Sequence, residues 1–207
     1  MNTLAIAIQR INPTTIGIAI LIIFYTIGII GVGFSGYDQF ILLTPFNLLL
    51  SITVILWFHP NWSSQTLLFL LTCFLVGFGI EVIGVNTGKI FGVYEYGRVL
   101  GWKLWDTPLM IGVNWVMLVY CSGMVTNWLL PKWHFLVKAI VSATVMVILD
   151  LIIEPVAIHY DFWTWAASDI PIQNYISWWL ISFILLSLFH FLHPRGQNKV
   201  ARLLLAL

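Results

Sequence analysis

Six stretches of mostly apolar residues divide the chain. They cover residues 15–34, 40–58, 65–86, 108–129, 135–154 and 174–192. Most have about the 20 residues that an α-helix needs to cross the hydrocarbon core of a bilayer. The pattern therefore predicts an all-α fold, a polytopic membrane helical bundle with about six transmembrane helices. We expect residues 1–207 to form a single integral membrane domain.

The connections between these stretches are unequal in length. Two are long, covering residues 87–107 and 155–173, whereas the first, second and fourth are short turns. Each long connection follows an odd-numbered span, so both are predicted to lie on one face of the membrane. Functional residues concentrate on loops that a rigid scaffold positions, which makes this face the place to look for chemistry.

The composition supports a membrane protein. Hydrophobic residues make up 60% of the chain and charged residues 8%, whereas soluble domains carry roughly 25% charged residues. A net charge of +1 provides no basic footprint for nucleic acid. We expect the lipid bilayer to be the partner of the chain, and nucleic acid not to be one.

Basic residues outside the spans or near their ends indicate an orientation. One side of a six-span arrangement has six of them: Arg10, Lys132, Lys138, Arg195, Lys199 and Arg202. The other side has Lys89, Arg98 and Lys103. Because cytoplasmic loops are enriched in lysine and arginine, this excess favours both termini in the cytoplasm, with the chain in the cell (inner) membrane.

The sequence gives no signature of a bound metal or cofactor. His190 and His193 are the only histidines at a helical spacing, which is far short of a metal cluster. A G-x-G-x-x-G pattern at Gly31, Gly33 and Gly36 ends an apolar span and does not link a strand to a helix, as a dinucleotide site requires. We therefore predict no metal and no cofactor.

Acidic residues inside apolar stretches are the most informative feature. Glu81 lies near the end of the third span, with Gly77 and Gly84 on the same helical face. Small residues allow close packing, so Glu81 is expected to face protein. An ionisable group in a membrane span costs about 2.5–3.5 kcal/mol on insertion scales and indicates a functional site. The alternative is a structural carboxyl with hydrogen-bond partners near the interface.

The fifth span carries a second acidic pair. Asp150 and Glu154 are four residues apart and share one helical face. Pro155 should end or bend this helix just past Glu154. Two carboxyls on one apolar face repel when both are ionised, so at least one is expected to keep its proton. Neutralisation of the pair by Lys89, Arg98 or Lys103 remains an alternative.

Aromatic residues crowd both long loops. An interfacial belt would explain part of this enrichment, but the segments "YEY" and "HYDFWTW" place the rings beside acidic residues. Asn114 and Asn174, near the ends of two spans, are candidates to orient a water molecule or to make interhelical hydrogen bonds.

These residues permit acid-catalysed addition of water to an alkene. A buried carboxylic acid would protonate the double bond, aromatic faces would stabilise the cation, and a second carboxylate would deprotonate the attacking water. Two other classes stay open. Intramembrane acids also suit a small proton-coupled transporter or lipid-binding membrane protein, and the same cation would serve a cofactor-free polyene isomerase or cyclase.

Two blocks of sequence resemble the carotenoid biosynthesis protein family of membrane hydratases. The first matches at Glu81, Thr87, Gly88, Phe91, Gly92, Tyr94, Tyr96, Pro108 and Trp115. The second matches at Asp150, Glu154, Pro155, Trp163, Trp165, Asn174 and Trp178. The resemblance covers roughly residues 77–180. It implies a carotenoid hydratase that acts on the terminal double bond of an acyclic carotenoid end, such as that of γ-carotene, lycopene or the precursor of bacterioruberin.

The resemblance and the residues together give the expected site. Asp150 or Glu154 is predicted to donate the proton, and Glu81 to activate water. Lys89 and Arg98 are expected to tune the charge, and the loop aromatics to line a slot open to lipid. The predicted substrate-binding residues are Lys89, Phe91, Tyr94, Tyr96, Arg98, Trp102, Asp106, Asn114, Trp115, Trp163, Trp165, Asn174 and Trp178. The expected partners are a membrane-dissolved carotenoid, water and possible associated carotenoid enzymes.

Overall fold

The computed structural model of the protein describes residues 12–34, 38–167, 169–192 and 197–207. Their helices, numbered here in chain order, have the following bounds. They are α1 (Pro13–Phe34), a 3-10 helix (Asp38–Leu43), α2 (Thr44–Trp57), α3 (Ser64–Thr87), α4 (Leu109–Leu129), α5 (Phe135–His159), α6 (Ile172–Leu192) and α7 (Lys199–Leu204). Four short strands are β1 (Tyr94–Tyr96), β2 (Lys103–Leu104), β3 (Thr107–Pro108) and β4 (Trp163–Trp165).

The helices confirm the predicted all-α membrane bundle. Within the described residues, six helical segments are long and apolar enough to cross a membrane. The second combines the 3-10 helix with α2. The chain is therefore an integral membrane protein. Arg10, His193, Arg195 and Gly36, used in the sequence analysis, lie outside the described residues.

Local signals explain where α3 begins and ends. The Ser63 hydroxyl accepts a hydrogen bond from the Thr66 backbone N–H over 3.1 Å, which caps the helix N-terminus. At the C-terminus, Gly88 adopts φ = +65°, a left-handed conformation that glycine adopts without a steric penalty. The chain turns at once into the first long loop, so Glu81 stays within two turns of the loop face.

Of the two effects expected of Pro155, an end or a bend of the helix, the first is not found. The helix continues to His159 with Pro155 inside it. Proline removes the hydrogen bond that its missing N–H would make four residues earlier, and its ring crowds the carbonyl there. Beyond it, Ala157 is buried in the protein and holds the last turn in place. The second long connection is shortened accordingly.

The two long loops meet, as their predicted common face requires. Strands β1 and β4 pair antiparallel, with Tyr94 opposite Trp165, Glu95 opposite Thr164 and Tyr96 opposite Trp163. The sequence analysis did not predict these strands. The pairing joins the loop after α3 to the loop after α5 and forms a ribbon over the ends of both helices.

A second hairpin projects from the first loop. Strands β2 and β3 are joined by Trp105 and Asp106, both with positive φ, the conformation of a two-residue type I′ turn. Trp102, beside this hairpin, is 82% exposed. The exposed aromatic side chains of this loop are therefore separated from those of the β1–β4 ribbon.

Helix α4 lies at the centre of the bundle. Two-thirds of its most apolar stretch is buried, more than in any other described span. It packs against α3 on one side and against α5 and α6 on the other. Trp115 on α4, Met146 on α5 and Leu186 on α6 are fully buried in the shared core. This packing fixes the relative positions of the acidic residues on α3 and α5.

A polar network closes the end of the bundle opposite the loops. Lys138 is buried one turn into α5, and its Nζ donates to Asn127 Oδ1 over 3.0 Å. His190 contacts the same Asn127 oxygen and also Ser142 Oγ, each at 3.0 Å. Lys138, counted above among the loop charges, therefore belongs to the interior of the bundle.

Candidate active site

Glu81, Asp150 and Glu154 line one cavity at the loop end of the bundle. All three are at least 97% buried. The cavity has a volume of about 30 Å³, which is enough for a water molecule, since about 10–15 Å³ suffices for one. The predicted acids are thus brought together around one cavity.

Three donors surround the Glu81 carboxyl. The hydroxyls of Tyr94 and Tyr96 donate to Oε2 over 2.5 and 2.7 Å, and the indole N–H of Trp115 donates to Oε1 over 3.1 Å. A carboxylate accepts at about four positions, so three donors satisfy most of its capacity. This set of neutral donors stabilises the ionised form of Glu81.

Both tyrosines act as donors over a wide pH range. Burial, together with the adjacent Glu81 carboxylate, raises the pKa of Tyr94 well above its ordinary value. Burial and Glu81 likewise raise the pKa of Tyr96. The phenols therefore remain protonated and keep their O–H groups directed at Glu81.

Glycines on α3 create the space for these aromatic partners. A Cβ added at Gly77 would lie 2.4 Å from Cγ of Trp115, and one added at Gly84 would lie 2.6 Å from the Phe91 ring. The small residues on the Glu81 face therefore admit aromatic rings of α4 and the loop.

Asp150 and Glu154 have different surroundings. Asn174 Nδ2 donates to Asp150 Oδ2 over 3.0 Å. Glu154 Oε1 accepts from the indole N–H of Trp163 over 2.8 Å and also from that of Trp165. The carboxyls that share one face of α5 are thus held by an amide in one case and by two indoles in the other.

The β1–β4 ribbon supplies four of these donors. Successive residues of a strand point to opposite sides, so Tyr94 and Tyr96 turn inward while Glu95 is exposed. On β4, Trp163 and Trp165 likewise point to the cavity, and the exposed Thr164 points away. One small sheet therefore delivers partners to Glu81 and to Glu154 together.

Two stacked tryptophans form another wall of the cavity. The rings of Trp115 and Trp178 are 4.4 Å apart between centroids and inclined by only 19°. Both line the cavity, as do Phe91 and Asn114. Faces of tryptophan attract cations by about 0.5–2 kcal/mol, so this wall suits a positively charged intermediate.

Twelve of the sixteen predicted site residues line this cavity, and four do not. The four outside it are Lys89, Arg98, Trp102 and Asp106, all with exposed side chains. Among the described residues, no hydrogen bond or ion pair joins Lys89 or Arg98 to the three carboxyls. The expected tuning by direct contact with these cations is therefore not seen. Lys103 instead donates to the Tyr96 backbone carbonyl.

Two lining residues were missed by the sequence analysis. Ile111 of α4 and Ile153 of α5 complete the apolar part of the wall. Ile153 lies between Asp150 and Glu154 in sequence, and its position three residues after Asp150 was an available signal. An isoleucine in a transmembrane helix is too common to be singled out on that basis.

Comparison with known proteins identifies the family. A family model described as "Carotenoid biosynthesis protein" matches residues 43–206. The chain belongs to the carotenoid biosynthesis protein family. This confirms the resemblance drawn from the two sequence blocks, and the match covers every residue of the cavity.

One curated relative of this carotenoid biosynthesis protein is the bisanhydrobacterioruberin hydratase of Haloarcula japonica. The two are 30% identical over 123 residues, which are 56% of this chain and 42% of the relative. The chain thus matches less than half of that protein's length. No solved structure matches the chain significantly.

Proposed function

We propose that this protein is a carotenoid hydratase of the hydro-lyase type. It adds water to the terminal carbon–carbon double bond of an acyclic carotenoid end group and gives a tertiary alcohol. The observation that carries the proposal is the water-sized cavity that three buried carboxyls share with aromatic walls. Membership of a carotenoid biosynthesis family, and a relative named as a hydratase, support the substrate class and the reaction.

Asp150 is the proposed proton donor. It accepts one side-chain hydrogen bond, from Asn174, whereas Glu154 accepts two and Glu81 three. Donors stabilise a carboxylate, and like charges in one buried cavity disfavour full ionisation. The carboxyl with the fewest donors therefore takes the proton. The count of donors thus supports Asp150 over Glu154, the two candidates that the sequence left open.

The first step is protonation of the alkene. The Asp150 O–H bond breaks and a C–H bond forms at the less substituted carbon of the terminal double bond. The positive charge falls on the more substituted carbon, where it faces the stacked Trp115 and Trp178 rings. The carboxylate of Glu154, which accepts hydrogen bonds from two indoles, contributes a negative charge that stabilises the cation.

The second step is capture of the cation by water. A water molecule in the cavity forms the C–O bond, and Glu81 accepts the proton that the water loses. Three of the roughly four acceptor positions of Glu81 are occupied, which leaves one for the water. Transfer of this proton to Asp150 restores the starting state. The cycle consumes one alkene and one water and requires no cofactor or metal.

The proposed setting follows from the substrate. The carotenoid is dissolved in the bilayer, and other carotenoid enzymes in the same membrane are possible partners that supply it. We place the protein in the cell membrane with both termini in the cytoplasm because, with the buried Lys138 set aside, five basic residues lie on that side and three on the other. The cavity then lies toward the opposite face.

Expression in cells that accumulate lycopene or γ-carotene tests the proposal. The expected product is heavier than the substrate by one water. When isolated membranes hydrate a preformed, unlabelled carotenoid in heavy water, the product should carry one carbon-bound deuterium next to the new alcohol carbon. A product of unchanged mass would replace the hydratase by an isomerase or cyclase, and an unaltered carotenoid would favour the transporter or lipid-binding alternative.

Variants of the carboxyls test the assigned roles. General acid–base catalysis contributes about 100- to 10,000-fold, so Asp150→Asn and Glu81→Gln should each lower the rate by at least 100-fold. Glu95→Gln is the matched control, because Glu95 is exposed on the same strand that holds Tyr94 and Tyr96. Full activity of Asp150→Asn together with inactive Glu154→Gln would transfer the donor role to Glu154.

A further inference from the structure

A large apolar groove lies beside the candidate active site. It is formed by α1, the 3-10 helix and α2, and Val156 of α5 lines it from the other side. Its volume is about 800 Å³, within the roughly 300–1,000 Å³ typical of small-molecule sites. The catalytic cavity, at about 30 Å³, has space for water but not for a polyene.

Glycines keep one wall of this groove open. Gly28 and Gly33 of α1 line it, and a Cβ added at either would meet nothing within 4 Å. By contrast, the Phe40 ring occupies the space beside Gly31 on the same helix. A Cβ added at Gly31 would lie 2.4 Å from that ring. Among the described residues, the space beside Gly28 and Gly33 is therefore not used for packing between helices.

Helix α5 joins the groove to the catalytic cavity. Ile153 lines the cavity and Val156 lines the groove. Residues three apart on a helix are neighbours on one face, and both side chains are partly exposed, Ile153 by 37% and Val156 by 53%. An extended apolar chain in the groove would therefore reach the cavity by passing these two side chains.

The far end of the groove becomes polar at the loop face. Ile41 lines both the groove and an adjoining cleft of about 230 Å³, where Arg98, His159 and Asp161 are exposed. The apolar part thus lies on the membrane side of this cleft. It extends along the same half of the bundle as Glu81 and Glu154, which are near the loop ends of α3 and α5.

We propose that this groove binds the polyene chain of the substrate, so that only its terminal double bond passes Ile153 into the carboxyl cavity. The inference rests on the proposed function for the identity of the chain. It adds a binding site formed by α1, α2 and Val156, none of which contributes to the catalytic cavity. It also explains how a cavity the size of a water molecule serves a long substrate.

Filling the groove tests this proposal. Gly28→Phe places a ring in open space, so it should fold normally while removing room for the chain. Gly79→Phe is the matched control: Gly79 is also half-buried in a helix, a Cβ there meets nothing within 4 Å, and it lines none of the cavities described here. The first readout is the amount of acyclic carotenoid that copurifies per protein from carotenoid-producing cells, measured by its visible absorbance.

We expect Gly28→Phe to lower the copurifying carotenoid at least threefold and to slow its hydration, with Gly79→Phe unchanged. Equal retention in both variants would overturn the proposal, even if the wild-type protein is a hydratase. If carotenoid retention depends on Gly28 but no hydrated product forms, the groove proposal stands and the proposed hydratase function is rejected. Loss of a bound phospholipid in Gly28→Phe, seen by native mass spectrometry with carotenoid unchanged, would also overturn the proposal and assign the groove to lipid.

Discussion

Gly77 of α3 and Trp115 of α4 are in such close contact that a Cβ on the glycine would lie 2.4 Å from Cγ of the indole. The same indole donates to Glu81 and stacks on Trp178. The absence of a side chain at Gly77 therefore sets the position of the Trp115 ring. This ring donates a hydrogen bond to Glu81 and forms part of the aromatic wall.

The first prediction concerns this contact. Gly77→Ala should displace the Trp115 ring, weaken its hydrogen bond to Glu81 and lower hydration activity about tenfold or more. Overpacking of a core typically costs about 1–3 kcal/mol, so thermal stability in detergent should fall as well. Gly79→Ala, where the added Cβ meets nothing within 4 Å, is the control. Equal activity of the two variants would show that the position of Trp115 is not critical.

The second prediction concerns the phenols that bind Glu81. Removal of a hydrogen bond to a charged group costs about 1.5–3 kcal/mol, and about 1.4 kcal/mol corresponds to tenfold in rate. Tyr94→Phe and Tyr96→Phe should each lower the hydration rate about 10- to 100-fold, as measured by product formation in membranes. Tyr160→Phe, outside the cavity, is the control. Unchanged rates in both variants would remove Glu81 from the chemistry.

The third prediction concerns alkaline pH. Because the pKa values of Tyr94 and Tyr96 are raised in the folded protein, the neutral phenols stabilise it fully below the ordinary tyrosine pKa of about 10. This stabilisation is lost progressively as the pH rises above that value. Neither phenol should ionise while the protein stays folded. The ultraviolet absorbance of tyrosinate in the folded protein should therefore be the same for the wild type and for the variant with both tyrosines replaced by phenylalanine. A smaller absorbance in the variant before unfolding would contradict this.

The fourth prediction concerns the pairing of the two long loops. Glu95 and Thr164 face each other across β1 and β4, and the neighbouring bond from the Gly97 N–H to the Phe162 carbonyl fixes the register. In an antiparallel ladder, opposed residues that form a hydrogen-bonded pair have Cα atoms about 5.5 Å apart. This distance suits a disulfide. Glu95→Cys with Thr164→Cys should cross-link under mild oxidation and keep activity, because both side chains point away from the cavity. Glu95→Cys with Asp161→Cys is the control and should cross-link far less, because Asp161 lies three positions before Thr164, in the turn that precedes β4.

The sequence predicted the helices well because each span is defined by its own apolar residues. The largest error, the end of α5, came from Pro155, whose local preference was overridden by the packing of the turn that follows it. Strands β1 and β4 could not be predicted in the same way. Each has only three residues, and their pairing depends on contacts between loops far apart in the sequence.

The carboxyls were predicted from their rarity in apolar spans, whereas their hydrogen-bond donors were not identified from the sequence. Opposite charge suggested Lys89 and Arg98, and the structure places neutral donors at the carboxyls instead. Tyrosine, tryptophan and asparagine offer O–H or N–H groups without bringing a second charge into the bilayer, which makes them less costly to bury than lysine or arginine. The exposed cations remain at the surface of the loops.

The β1–β4 ribbon has a consequence for insertions and deletions in the loops. Side chains alternate along a strand, so a shift of the pairing by one residue turns every inward group outward. Deletion of a single residue before Tyr94 would withdraw both phenols from Glu81 at once, with no helix altered. The length of a short surface segment would then decide whether the protein has the proposed hydratase activity, and natural variants of this protein should tolerate changes in the β2–β3 hairpin more readily than between Gly88 and Tyr94.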